Sequence, residues 1–265
     1  MQRVRRALGV RAAGHTGTLD PFATGLLIVL VGRATRLARF VEAQSKTYLA
    51  TARLGVSTET DDLTGRIITT SEAGSLNDGR VQEALRGFIG TQLQRPPQYS
   101  AKHVGGERSY QKARRGEAVP LAAVSVTVEH IEMVECRLPL VTFRAVVSSG
   151  TYVRALARDL GESLGVGAHL TSLRREAIGS LRVEDAVALD QLAPAALITP
   201  RTVLGDIPTV ELGREEQTAV SHGRAVKGAG QGGSDTVALV AGGELVAIAR
   251  NQEGWLRPTV VLQTP

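Results

Sequence analysis

Apolar and polar positions follow two periods along this chain, and the switches between them outline its elements. Leu26 to Val31 is a short unbroken apolar run, β-branched toward its end, which predicts a fully buried strand. Arg33 to Val41 reads as helical, and Lys46 to Leu54 predicts a second strand carrying Tyr48. Ser57 to Gly65 is polar and acidic, as expected of a surface loop. Val81, Leu85, Phe88 and Ile89 then recur at helical spacing behind a candidate cap at Ser75 or Asn77, with Gly90 as the stop.

The second half of the chain repeats this alternation. Gln94 to Gly106 is a Pro- and Gly-rich connector, and Arg108 to Arg115 predicts a short basic helix. Two alternating stretches, 123–134 and 138–147, predict an antiparallel pair. Ser148 to Thr151 introduces an amphipathic helix whose stripe is Val153, Leu156, Ala157, Leu160 and Leu164, with Gly165 just beyond and Arg154 in the first turn. Residues 168–178 predict another strand. Residues 193–200 fit a linker, and from Gly205 short strands alternate with glycine-rich turns.

Composition narrows the class. The 265 residues suffice for a large domain and a small one, and 43% hydrophobic with 22% charged residues is ordinary for a globular protein. A formal charge of +5 and a pI near 9.8 favour an anionic partner such as nucleic acid. Cys136 stands alone, which excludes an intrachain disulfide and a cysteine zinc cage. The histidines at 15, 103, 130, 169 and 222 lack metal-ligand spacing, so no metal is expected. His169, in GAHL, is expected to orient a turn. The longest apolar run is too short to span a bilayer and the N-terminus has no signal-like apolar core, so the expectation is a cytoplasmic protein without membrane contact. With only 3% aromatic residues, base stacking would rest on very few rings.

The segment GHTGTLDP at 14–21 places an Asp-Pro pair among glycines, which predicts an irregular loop and, alone, only a turn. It extends to GHTGTLDPFATGLL at 14–27 and is followed in order by KTYLATARLG at 46–55, RPPQYSAKHVGGERSYQKARRG at 95–116 and SSGTYVRALARDLGESLGVGAHLTSLRR at 148–175. These blocks resemble the bacterial tRNA pseudouridine synthases that act on uridine 55 of the T-arm. The resemblance implies an α+β pseudouridine synthase fold with a mixed, largely antiparallel sheet flanked by helices over 1–195, and a small PUA-like β RNA-binding domain over 205–265. It implies Asp20 as the catalytic carboxylate, Tyr48 as the ring against the target base and Arg154 as the partner of Asp20. His15, Thr18, Tyr152, Leu173, Arg175 and Lys102 are implied substrate-binding residues. No cofactor is expected, the partner is the T-arm stem-loop of tRNA without a guide protein, and the state expected is a monomer.

Pseudouridine formation keeps every atom of uridine, so neither a redox group nor an energy source is required. A carboxylate can add to the sugar C1′ or the base C6, or act as a base on the sugar, and the residues leave these routes open. An ionised Asp20 away from water needs an opposing charge, which Arg154 would supply. Tyr48 would offset part of the cost of unstacking the nucleotide. The basic residues of 102–115 are candidates for phosphate contact. In the resembled family a strand with a Lys-Pro pair precedes the helix ahead of the GHTGTLDP loop, whereas this chain starts within that helix; an exposed sheet edge is the expected consequence. Two alternatives follow: an RNA-binding or RNA-folding module without turnover, and a guide-dependent synthase.

Overall fold

The computed structural model describes residues 1–74, 76–99, 103–104, 107–108, 115, 121–228 and 235–263. Helix α1 (Gln2–Leu8) precedes strands β1 (Ala13–Thr16), β2 (Thr24–Gly25) and β3 (Ile28–Val31), and a 3-10 segment, Gly32–Leu37, runs into α2 (Ala38–Glu42). Then come β4 (Lys46–Leu54), the hairpin β5 (Val56–Thr58) and β6 (Ile67–Thr70), α3 (Asp78–Arg86) and β7 (Gly90–Gln94). The short β8 (His103–Val104) and β9 (Glu107–Arg108) lead to β10 (Val124–Arg137), β11 (Leu140–Val147), α4 (Val153–Ser163), β12 (Ala168–Ile178) and β13 (Leu181–Arg182). The chain closes with β14 (Thr209–Glu211), α5 (Arg214–Ser221), β15 (Val226–Lys227), β16 (Thr236–Ala241), β17 (Glu244–Gln252) and β18 (Trp255–Val261).

The central sheet runs β13-β12-β4-β11-β10-β7, each neighbour antiparallel, with β2 added parallel to β12. Even-numbered residues of β4 share one face because side chains alternate along a strand, so Tyr48 points the same way as Ala50, Ala52 and Leu54. That face carries the main core, built with Val81 and Leu85 of α3, Val153, Leu156, Ala157 and Leu160 of α4, and Leu170 and Leu173 of β12. The α4 stripe read from the sequence is thus the packed stripe. A Cβ added at Gly161 would lie 2.2 Å from Ala168 N, so only glycine lets the helix backbone approach the start of β12 this closely.

The last strands form a second sheet, β14-β16-β17-β18-β15, with α5 covering one face. Its other face shares a hydrophobic cluster with the first part of the chain: Ala238, Val240, Leu245, Ile248 and Leu262 meet Leu26, Leu30, Leu37 and Val41. Polar ties reinforce this seam. Arg33 donates to Leu262 O at 3.0 Å, Arg36 to Val261 O at 2.9 Å, and Gln44 to Val203 O at 2.7 Å. Among the described residues no helix is long and apolar enough to cross a membrane.

Several expectations are corrected. Gly14 to Thr16 is strand rather than irregular loop, because Ala13–Thr16 pairs antiparallel with β3. That pairing makes a two-stranded ribbon, so the apolar run is not buried throughout: Ile28 and Leu30 are buried, whereas Leu27 remains 40% exposed. The helix around Val81 ends at Gly87, since Gly90 adopts φ 111 and opens β7, leaving Ile89 exposed. Asn77 is the cap, its side chain accepting from Arg80 N at 3.0 Å, while Ser75 lies outside the described residues. The 57–65 segment is only in part a surface loop: Leu63 is exposed, but Thr58 and Asp62 are buried, and Asp62 bridges to Leu170 of β12. Arg108 lies in β9, and most of the basic helix expected over 108–115 lies outside the described residues.

Candidate active site

The loop between β1 and β3 is held at three points. Arg175, at 1% exposure, donates from Nε to Leu26 O at 2.8 Å and from Nη2 to Gly17 O at 3.0 Å, tying both ends of the loop to β12. Leu26 N returns a bond to Arg175 O at 2.9 Å. Gly25 between them adopts φ 104, and a Cβ there would sit 2.2 Å from Arg175 O, so this approach requires glycine. Inside the loop Ala23 N donates to Asp20 O at 2.9 Å, a turn that Pro21 favours.

The third point is the carboxylate. Arg154 donates from Nε to Asp20 Oδ2 at 3.0 Å and from Nη2 to Asp20 Oδ1 at 2.9 Å, a bidentate fork. The rest of the guanidinium is occupied as well: Nη1 donates to Thr60 O at 2.9 Å, Nη2 to Tyr99 O at 3.0 Å, and Asp62 Oδ2 stands 3.4 Å from Nη1. Four of the five guanidinium N–H bonds donate to these acceptors and the Asp62 carboxylate stands beside Nη1, which fixes the orientation of the group. Arg154 is 5% exposed while Asp20 keeps 29% exposure, so the clamp lies inside and its carboxylate reaches the surface. Asp62 is fixed in turn, its Oδ1 accepting from Thr60 Oγ1 at 2.6 Å, Thr64 N at 2.9 Å and Thr64 Oγ1 at 2.6 Å.

Arg154 reaches this position because α4 starts where it does. The helix has no side-chain cap of its own. Gln94, at the end of β7 and 1% exposed, supplies the substitute: its Oε1 accepts from Tyr152 N at 2.8 Å and its Nε2 donates to Tyr152 O at 3.1 Å. One turn further along α4, Arg158 pairs with Asp61 at 3.0 Å and with Asp159 at 2.7 Å. Burial pushes Asp61 up to about 6, against the opposing pull of Arg158 and Arg154, and burial also raises Asp159. Below the loop, burial lowers Lys46 to about 8, helped by the charge of Arg175.

The implied residues thus separate into groups. Asp20 and Arg154 are in direct contact. Tyr48 and Phe22, which follows the Asp20-Pro21 pair, pack half-buried against the core that contains Leu173. His15, on β1 opposite Val29 in the ribbon, and Thr18, on the loop, are both exposed. Tyr152 is engaged through its backbone by Gln94. Arg175, implied as a substrate-binding residue, is buried and donates to two loop carbonyls, so it anchors the loop. Lys102 lies outside the described residues. His169 is buried and its Nδ1 lies 2.7 Å from Val56 O, the structural role expected of it. Sequence reasoning missed Asp62, Thr60 and Gln94. The acidic-threonine run TETDDLTG was the only signal for the first two, and it also spells a turn. Among the described residues no group of three or more His, Cys, Asp or Glu is placed to hold a metal.

Comparison with known proteins defines the class. The model of the TruB family pseudouridylate synthase N-terminal domain matches residues 5–153, and that of the tRNA pseudouridylate synthase B C-terminal domain matches residues 154–206. The chain belongs to the TruB family of pseudouridylate synthases. It is 43% identical over 270 residues to the tRNA pseudouridine synthase B of Thermobifida fusca (strain YX), covering 98% of this chain and 92% of that protein. To the tRNA pseudouridine synthase B of Burkholderia pseudomallei (strain 668) it is 41% identical over 279 residues, covering 100% of this chain and 92% of that protein. Among solved structures, a Cbf5-Nop10-Gar1 complex contains a chain similar to this one with a TM-score of 0.75 at 26% identity, covering 98% of this chain and 79% of that one. An H/ACA ribonucleoprotein bound to a substrate RNA shares the fold with a TM-score of 0.74 at 23% identity, covering 98% and 79%.

Proposed function

We propose that this chain converts a uridine of the T-arm loop of tRNA, position 55, to pseudouridine, with Asp20 as the reacting carboxylate. The observation that carries the reading is the bidentate Arg154–Asp20 pair, its arginine buried and its carboxylate open to the surface. Relatives named for tRNA pseudouridine synthesis, similar over nearly the whole chain, support tRNA as the substrate.

The reaction breaks the N1–C1′ bond and forms a C5–C1′ bond; the C5 proton is released and N1 ends protonated. Asp20 either bonds to C1′ or C6 and is later displaced, or removes and returns a sugar proton. Arg154 offsets the charge of the carboxylate and fixes both its oxygens, so the attacking lone pair has one direction. Tyr48, half-buried beside the core, offers a ring to the flipped base, and stacking of about 1–3 kcal/mol offsets part of the unstacking cost. The exposed His15 of β1 and Thr18 of the loop meet the nucleotide backbone in this reading, and Leu173 supports the base from the core side. In this reading 1–195 is the catalytic domain and 205–265 a PUA-like RNA-binding domain of a cytoplasmic monomer, and Lys102 with the basic residues around it contacts phosphate.

The test is release of tritium from a T-arm stem-loop carrying C5-tritiated uridine. The chain alone releases it, and Asp20→Asn releases none while binding the RNA within about tenfold of wild type, because the amide keeps the shape and loses the charge. Turnover by Asp20→Asn, binding without conversion by the wild type, or a requirement for a guide ribonucleoprotein would each overturn the reading.

A further inference from the structure

Arg158 stands one helical turn beyond Arg154 and is held as tightly. Its Nη1 donates to Asp61 Oδ2 at 3.0 Å, its Nε to Asp159 Oδ1 at 2.9 Å and its Nη2 to Arg95 O at 2.9 Å. Asp61 adopts φ 58, a left-handed conformation costly for a residue other than glycine, and its carbonyl accepts from Leu170 N at 3.0 Å. The strained backbone is therefore pinned between β12 and the Arg158 guanidinium. Arg95 opens the short segment whose last described residue, Tyr99, gives its carbonyl to Arg154. The two segments that Arg158 ties to α4 are thus the same two that supply the acceptors of Arg154: Thr60 and Asp62 from one, Tyr99 from the other.

We propose that Arg158 is a positioning residue for the isomerisation: by clamping Asp61 and the Arg95 carbonyl to α4, it fixes the cage around Arg154 and through it the direction in which Asp20 presents its carboxylate. The inference rests on the reading of Asp20 as the reacting group. Arg158 acts through Arg154 and makes none of the substrate contacts assigned above.

The groups around Asp61 set when the clamp holds. Arg158, Arg154 and Asp159 face it from α4, with Glu162 on the far side of Arg158. Asp62 is its neighbour on the loop, the exposed Glu59–Arg66 pair lies beyond on the hairpin, and on β12 His169 turns to Val56 O. Burial leaves Asp61 titrating near 6, so the clamp is ionic above that pH and loses its carboxylate charge below it. The effect on stability has the opposite sign. Because the folded value lies above the ordinary 3.8, protonation of Asp61 between about 6 and 4 favours the folded chain. Loss of turnover in that window through this pair is therefore not loss of fold.

The experiment is single-turnover conversion by the full chain, using C5-tritiated tRNA transcript between pH 5 and 8. Wild type, Arg158→Lys, Arg158→Met, Asp61→Asn and Asp20→Asn are compared, with RNA affinity and melting temperature measured in parallel. At pH 8, Arg158→Met and Asp61→Asn convert about 10- to 100-fold more slowly with affinity within about twofold, the pattern of misplaced rather than unbound reactants. Arg158→Lys recovers part of the rate, since an ammonium can face Asp61 but cannot also span Arg95 O and Asp159. Asp61→Asn lacks the fall near pH 6 seen in wild type, so its deficit shrinks toward parity at pH 5. Wild-type rates in both Arg158 variants overturn the inference. So does a deficit constant across pH that follows melting temperature or RNA affinity. A dead Asp20→Asn beside unimpaired Arg158 variants sinks this inference alone, whereas an active Asp20→Asn sinks the reading beneath it.

Discussion

Replacing Arg154 with lysine keeps the charge and removes the fork, and the cage around it makes the consequence calculable. Arginine donates to both Asp20 oxygens, Thr60 O and Tyr99 O and faces the nearby Asp62 carboxylate, all from three nitrogens fixed in a plane. An ammonium has three donors on one atom and cannot span these acceptors, so at least two are abandoned. The site is 5% exposed at the arginine, so water does not readily replace the missing donors. Each charge-assisted bond left unmade there costs about 1.5–3 kcal/mol, or about 3–6 kcal/mol for two. Part of that is relieved by relaxation of the 60–64 loop, and the part retained in the transition state sets the rate. At about 1.4 kcal/mol per decade, the full cost corresponds to about 10²- to 10⁴-fold in single-turnover rate, and relaxation brings the expected loss toward the lower end of that range. RNA affinity changes far less, because Arg154 faces away from solvent. Tritium release from C5-labelled uridine in a T-arm stem-loop measures the rate, and filter binding measures the affinity. An Arg154→Lys enzyme within about twofold of wild type would refute the argument that fork geometry, beyond charge alone, positions Asp20.

Other substitutions probe the surroundings. Arg175→Leu leaves Leu26 O and Gly17 O without donors, so the chain is expected to lose about 2–4 kcal/mol in denaturant unfolding; an unchanged midpoint would deny the anchoring role. Tyr48→Phe keeps the ring face and is expected to bind RNA normally while converting more slowly, and normal conversion would leave the hydroxyl without a part. Lys46, lowered by burial to about 8 from an ordinary 10.5, has the sign of a depressed base: its stabilising contribution is lost as pH falls through 8 and gained toward 10.5. Wild type should therefore gain melting temperature relative to Lys46→Met between pH 7 and 10, and a difference constant with pH would contradict this.

Strand β4 was legible from its β-branched and aromatic residues and the packed stripe of α4 from its helical period, and the residues so placed include Tyr48 and Arg154. The opening ribbon was not. Gly14 and Gly17 signal irregular backbone whether or not a partner strand covers the segment, and that partner, Ile28–Val31, reads as apolar without saying which sheet it joins. The site divides in the same way. The ordered blocks around Asp20, Tyr48 and Arg154 could be read by resemblance. The cage of Thr60, Asp62 and the Tyr99 carbonyl could not, because one acceptor is a side chain in a turn-like run and two are backbone atoms, to which any residue type contributes equally. Arg175 shows a related limit. The resemblance implies a substrate contact for it, and only the structure shows two of its donors turned inward onto carbonyls.

The seam between the C-terminal sheet and the ribbon changes how genetic data on this chain should be interpreted. Leu26, at the end of the Asp20 loop, and Leu30, on the strand that follows it, share one cluster with Ile248, Val240 and Leu262. A cavity opened at Ile248 would therefore loosen the loop as well as the sheet. In a screen scored by pseudouridine content, such an allele would be grouped with defects of RNA capture, although its lesion is mechanical and its RNA-facing surface intact. Suppressors should then be sought at volume-restoring positions across the seam before they are sought among basic residues.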